Sequence, residues 1–137
     1  MDTKDNFLRI LVADDNELIR KGLCSLLQKH PGWLVCAEAT GGRDAIEKAV
    51  LLKPNVILVD VSMPDLNGFE VARRIHEQLR YCKILIVTEH DSRSFAHIPP
   101  QPGVQGYVMK SRLSSELIPA VEAASERQPS ISASGGA

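Results

Sequence analysis

Val56-Ile57-Leu58-Val59-Asp60-Val61-Ser62-Met63-Pro64-Asp65-Leu66-Asn67-Gly68 is the stretch on which the fold turns. Four consecutive apolar residues stop at an aspartate and give way to a loop punctuated by proline and glycine. A strand with one solvated face alternates apolar and polar residues, whereas an unbroken apolar run belongs to a strand covered on both faces, as in a parallel sheet. Working outward from 56–59, similar runs occupy residues 8–13, 33–38, 84–87 and 106–109. Segments of helical periodicity separate them. Residues 16–29 place Leu18, Ile19, Leu23, Leu26 and Leu27 on one face and stop at His30-Pro31-Gly32. Residues 42–52 carry Ala45, Ile46, Ala49 and Val50 at the same spacing, and 68–79 carry Val71, Ala72 and Ile75. Residues 114–124 form a last amphipathic segment with Leu117, Ile118 and Val121. Strands alternating with helices predict right-handed crossovers, hence an α/β domain with helices on both faces of a five-stranded parallel sheet.

One crossover breaks the pattern. Between the fourth and fifth runs, residues 92–98 allow about two helical turns before Pro99, Pro100 and Pro102, which lack N–H groups and have fixed φ. The fourth helix is therefore expected to be short or irregular, and the face it builds to differ from a regular one. Residues 1–7 read as an N-terminal extension, 8–126 as the domain, and the Ser/Gly-rich 127–137 as a flexible tail or a truncated linker.

The 137 residues fit one domain. Sixteen basic against seventeen acidic residues, a net charge of -1, offer no basic face for nucleic acid. Cys24, Cys36 and Cys82 form no pair of disulfide or zinc spacing, and Cys24 and Cys36 read as small core hydrophobes of a reducing compartment. The N-terminus has no apolar signal core, and no apolar run approaches the ~18 residues of a membrane span, so a cytoplasmic protein without membrane contact is expected.

All strands of a parallel sheet end on one edge, where open α/β sheets bind ligands. Here the apolar runs end in Asp14-Asp15, Asp60, Thr88 and Lys110. Taken singly these are ordinary residues: Asp15 caps the helix beginning near Asn16, Asp65 and Asn67 are turn formers, Thr88 is a β-branched strand residue and Lys110 is solvated. Together they bring three mutually repelling carboxylates to one crevice, a natural site for a hard divalent cation such as Mg²⁺ or Mn²⁺. With the cation in place Asp60 is the candidate nucleophile, and Thr88 and Lys110 can contact a phosphoryl group placed on it.

These residues carry a resemblance. Val12-Ala13-Asp14-Asp15, Val59 through Gly68, Val87-Thr88 and Gly106-Tyr107-Val108-Met109-Lys110-Ser111 resemble the receiver domain of two-component response regulators, over nearly the whole chain. Lys110-Ser111, where many members have Lys-Pro, is most similar to the NarL/FixJ-type subgroup. The resemblance implies a flavodoxin-like fold of strand order 2-1-3-4-5 and a phosphoryl group accepted by Asp60 from a sensor histidine kinase. It implies Mg²⁺ held by Asp14, Asp15, Asp60 and the backbone carbonyl of Ser62, and phosphoryl contacts from Thr88 and Lys110. Tyr107 matches the aromatic whose rotamer accompanies movement of Thr88. The implied partners are the kinase and a downstream effector, or the C-terminal helix-turn-helix of full-length members, which these residues do not contain.

Three residues depart from or modulate the pattern. Glu89 stands where receivers keep a small residue and adds charge that opposes an anionic phosphodonor, unless it turns into solvent. Ser62 and His90, two residues beyond Asp60 and Thr88, flank the path of a hydrolytic water. The expected protein is a switch that takes part in its own phosphorylation and dephosphorylation rather than a substrate-turnover enzyme. A haloacid-dehalogenase-like phosphohydrolase is the less fitting alternative, because its second carboxylate follows the nucleophile by two residues. A phosphorylation-silent interaction module is the other.

Overall fold

A computed structural model describes residues 7–90, 99 and 101–126. Its elements are β1 (Leu8–Ala13), α1 (Glu17–Gln28), β2 (Trp33–Ala39), α2 (Gly42–Leu52), β3 (Val56–Asp60), α3 (Gly68–Gln78), β4 (Lys83–Thr88), β5 (Val104–Met109), a 3-10 turn (Lys110–Arg112) and α4 (Leu113–Glu126). The strands form one parallel sheet of order β2-β1-β3-β4-β5, the flavodoxin-like order expected. The fourth helix expected at 92–98, together with Pro100, lies outside the described residues, as do 1–6 and the tail 127–137.

Alternation along the strands divides the core in two. Leu11, Ala13, Ile57, Val59, Ile84 and Ile86 point to one face and are covered by Ala45 and Ala49 of α2 and by Val71, Ala72 and Ile75 of α3. Ile10, Val12, Val56, Leu58, Leu85 and Val87 point to the other and meet Leu23 and Leu27 of α1 and Leu117 and Val121 of α4. All five residues of β3 and all six of β4 are buried, so no polar alternation is present there. Cys24 and Cys82 are buried, but Cys36 is only half-buried. It is the extra residue where the β1–β2 register shifts, in an edge strand rather than the core.

Local chemistry sets the helix starts. Asn16 Oδ1 accepts from the N–H of Ile19, and Asn67 Oδ1 accepts from that of Glu70. The expectation that Asp15 caps the first helix is corrected, since Asn16 does so and Asp15 is left exposed. Asp65 is also more than a turn residue: its carboxylate accepts from the N–H groups of Gly42 and Arg43, capping α2 from 22 residues and more away. Those hydrogen bonds hold its carboxyl below the usual carboxylate range. Gly68 is required where α3 starts, because a Cβ there stands 2.7 Å from the carbonyl oxygen of Asp60.

Candidate functional site

β1, β3 and the turn after β5 deliver their terminal side chains to one crevice at the carboxyl edge of the sheet. Asp14 and Asp60 are buried and Asp15 is exposed, and each offers a carboxylate oxygen within 4.8 Å of the other two. Lys110 Nζ lies 3.2 Å from Asp60 Oδ1 and 3.5 Å from Asp14 Oδ2. The Ser62 N–H donates to Asp60 Oδ1 at 3.3 Å, and the Asn16 N–H donates to Asp14 Oδ1 at 2.9 Å. Asp14 Oδ2 is buried and accepts no hydrogen bond among the described residues.

Burial and the neighbouring Asp14 charge push the Asp60 carboxyl up, outweighing the Ser62 N–H and Lys110. For Lys110, burial acts to lower the pKa, but the charges of Asp14 and Asp60, with a smaller contribution from Glu89, raise it. Among the described residues the site is thus short of positive charge: the Lys110 ammonium meets two of the three clustered carboxylates, Asp14 and Asp60. Three convergent hard oxygen donors, one of them with an unfilled buried oxygen, suit a divalent cation of the Mg²⁺ class.

A cavity of about 250 Å³ opens over this cluster, lined by Asp15, Asn16, Asp60, Val61, Ser62, Glu89, His90 and Lys110. Glu89 both lines it and is exposed, so the two alternatives for its side chain are not exclusive. Thr88 is fully buried and its Oγ1 accepts from the His90 N–H at 2.9 Å, which leaves its own O–H hydrogen to give away. Tyr107, on β5, is half-buried with its ring 6.3 Å from that of Phe69. The structure therefore gathers Asp14, Asp15, Asp60, Ser62, Glu89, His90 and Lys110 around one opening, with Thr88 beneath His90, while Tyr107 contacts Phe69.

Sequence reasoning missed Arg20. It reads as a solvated helix cation, yet its side chain is one-tenth exposed, and Nη1 donates to the Asp14 carbonyl at 2.9 Å while Nε donates to Glu38 Oε1 at 2.9 Å. Position in an amphipathic pattern carries no signal for this, because the partners lie at the ends of β1 and β2.

Residues 10–122 match the family described as Response regulator receiver domain. The chain is 38% identical over 117 residues to the transcriptional regulatory protein YxjL of Bacillus subtilis, covering 85% of this chain and 54% of that one. Among solved structures it is similar to a LuxR-family two-component response regulator from Aurantimonas sp., at 32% identity and TM-score 0.81, covering 89% of this chain and 88% of the other. The receiver domain of the response regulator NarL from Mycobacterium tuberculosis gives 28% identity and TM-score 0.80, covering 89% and 99%. The chain spans about half the length of the curated relatives it matches.

Proposed function

The chain belongs to the response regulator receiver domain family of two-component signalling, with relatives of the LuxR/NarL type, and from that premise we propose that Asp60 accepts a phosphoryl group from the phosphohistidine of a sensor kinase. The P–N bond breaks as an Asp60 oxygen bonds to phosphorus, giving an acyl phosphate that water later hydrolyses. The observation that carries this reading is the buried Asp60–Lys110–Asp14 cluster at the floor of an open, polar-lined cavity. Mg²⁺, or Mn²⁺ in its place, supplies charge neutralisation when bound, and Asp14, Asp15, Asp60 and the backbone carbonyl of Ser62 would hold it. Lys110 meets one oxygen of the transferred group and the Thr88 hydroxyl another, so that charge is stabilised by groups already in place. Thr88 and Tyr107 then report the modification to the β4–β5 side of the domain. Ser62, Glu89 and His90 modulate the rates, and the Glu89 carboxylate at the mouth slows approach of an anionic donor.

The switch biases binding of a downstream effector, or of a C-terminal helix-turn-helix in the whole protein, and this domain binds no nucleic acid itself. Among the described residues no helix is long and apolar enough to cross a membrane. A cytoplasmic receiver spanning 8–126, acting as a phospho-accepting switch rather than a substrate-turnover enzyme, is the consistent reading.

The test is incubation with acetyl phosphate and Mg²⁺ followed by mass spectrometry. The expected result is one hydroxylamine-labile phosphoryl adduct on Asp60, absent in Asp60→Asn and formed ~2- to 10-fold faster in Glu89→Ala. No adduct on the wild-type protein favours the phosphorylation-silent module, and turnover of external phosphoesters favours the hydrolase.

A further inference from the structure

The Asp14 peptide is held on three sides. Its N–H donates to the Ala39 carbonyl at 3.0 Å, its carbonyl accepts from Arg20 Nη1 at 2.9 Å, and its Oδ1 accepts from the Asn16 N–H at 2.9 Å. What remains without a hydrogen bond among the described residues is Oδ2, which lies 3.5 Å from Lys110 Nζ. The β1–β2 ladder ends at the pair Ala13 and Ala39, so the Asp14 carbonyl lies just beyond it and has no strand partner. Arg20 reaches that carbonyl because it stands one helical turn after the cap, with its own N–H on the Asn16 carbonyl.

The guanidinium is itself fixed. Nε donates to Glu38 on β2, the residue paired with Val12, and Glu38 also accepts from Lys21 Nζ at 3.0 Å. The Glu38 carbonyl accepts from Lys48 Nζ on α2 at 2.6 Å. A rigid planar fork with one donor on Asp14 and another on an anchored carboxylate transmits direction as well as charge, which an ammonium or a water in the same place does not. From this we infer that Arg20, held by Glu38, is a positioning residue of the cation site: by fixing the Asp14 peptide it aims Oδ2 at the ion. The inference rests on the reading of the crevice as a Mg²⁺ site. Partners that orient metal-ligating carboxylates are typically worth about 10- to 100-fold in metal affinity.

The experiment is calorimetric titration of Mg²⁺ into wild-type protein and into Arg20→Met, Glu38→Ala and Glu38→Gln, with thermal unfolding in EDTA alongside. Arg20→Met is expected to raise the Mg²⁺ dissociation constant at least tenfold. Glu38→Ala, which touches no cavity residue, moves it the same way, and Glu38→Gln, which keeps an acceptor for Nε, stays within about twofold of wild type. Acyl phosphate formation in Arg20→Met recovers at saturating Mg²⁺. Should Arg20→Met lower only the unfolding temperature in EDTA and leave the Mg²⁺ affinity of the folded protein unchanged, the inference is overturned and Arg20 is structural. Should Arg20→Met not fold, Glu38→Ala decides on the same two readouts. No Mg²⁺ binding by the wild-type protein overturns the reading of the site, and this inference with it.

Discussion

β4 begins at Lys83 and ends at Thr88, and the two ends of this one strand stand in opposite surroundings. At its start, the buried Lys83 ammonium donates to the Ala124 carbonyl in the last turn of α4, and the Lys83 N–H donates to the Asn55 carbonyl. Nearby, Asn55 exchanges hydrogen bonds with the Arg9 backbone, and Arg9 Nη1 donates to the carbonyl of Lys53 where α2 ends. Cations there meet helix-terminal carbonyls, and the edge closes on itself. At the other end, three carboxylates cluster under an open cavity and, among the described residues, two of them share the Lys110 ammonium. The first edge spends its polar groups on holding the layers together. The second keeps an unmet demand for positive charge.

The largest test of this contrast removes the cation at each end. Lys110→Met leaves Asp14 and Asp60 facing each other without compensation and is expected to lower stability by about 3 kcal/mol in EDTA, since breaking a buried pair strands a charge. Mg²⁺ is expected to return part of that loss. Lys83→Met keeps the apolar stem, removes the ammonium with its hydrogen bond to the Ala124 carbonyl and is expected to cost less than Lys110→Met, with no effect of Mg²⁺. Urea unfolding with and without Mg²⁺ measures both. Equal losses, or a Mg²⁺ response at position 83, break the comparison.

A smaller effect follows from two acids of opposite behaviour. Asp60 is pushed up by burial and by Asp14, so the folded protein binds its proton more tightly than the unfolded chain does. Its contribution to stability is full below the unfolded value near 3.8 and is lost as the pH rises through the higher folded value. Glu38 is opposed by burial, yet its hydrogen bonds to Arg20 and Lys21 hold it low, so its contribution is present above the usual value of 4.5 and fades as the pH falls through the folded one. In metal-free buffer Asp60→Asn is expected to raise the unfolding temperature at pH 7 by roughly 3–5 °C, the effect of about 1 kcal/mol in a domain of this size, and to flatten the curve above pH 4. Glu38→Gln is expected to lower it at pH 7 and to match wild type at pH 3. A drop for Asp60→Asn at pH 7 contradicts a site short of positive charge.

How much of this was readable beforehand depends on whether a residue's neighbours are set by its own strand. Asp14, Asp15, Asp60 and Lys110 each follow directly on an apolar run, and parallel strands end on the same side, so the crevice follows from periodicity alone. Asp15 and Asn16 are adjacent and both able to cap, and only the turn geometry decides that Asn16 does. Asp65 capping α2 and Arg20 reaching Asp14 join elements whose distance along the chain says nothing about their distance in space. Lys83, beside an apolar run, looks like an ordinary solvated flank until α4 is laid over it. Residues 92–98, where a short helix is expected before the prolines, lie outside the described residues.

The smallest effect comes from the closed edge. His30 stacks on Trp33 with ring centroids 3.7 Å apart and an interplanar angle of 12°. Its Nδ1 lies 2.8 Å from the Pro31 carbonyl oxygen, and its Nε2 lies 3.3 Å from Glu122 Oε2 on α4. Both partners are acceptors, so both contacts become hydrogen bonds only in the imidazolium, which then also lies over the indole face. Trp33 is the one tryptophan of the chain and reports this contact directly. Its fluorescence is expected to change in His30→Gln, which removes the stacked imidazole, and to change less in Glu122→Gln, which leaves the stack in place. His30→Gln is expected to cost under about 1 kcal/mol, because both partners are partly exposed. Since no group of the acidic crevice takes part, Trp33 fluorescence is expected to be the same in Asp60→Asn and in the wild type. A Trp33 signal that moved with that substitution would mean that the two edges communicate through the sheet rather than acting as separate ends of it.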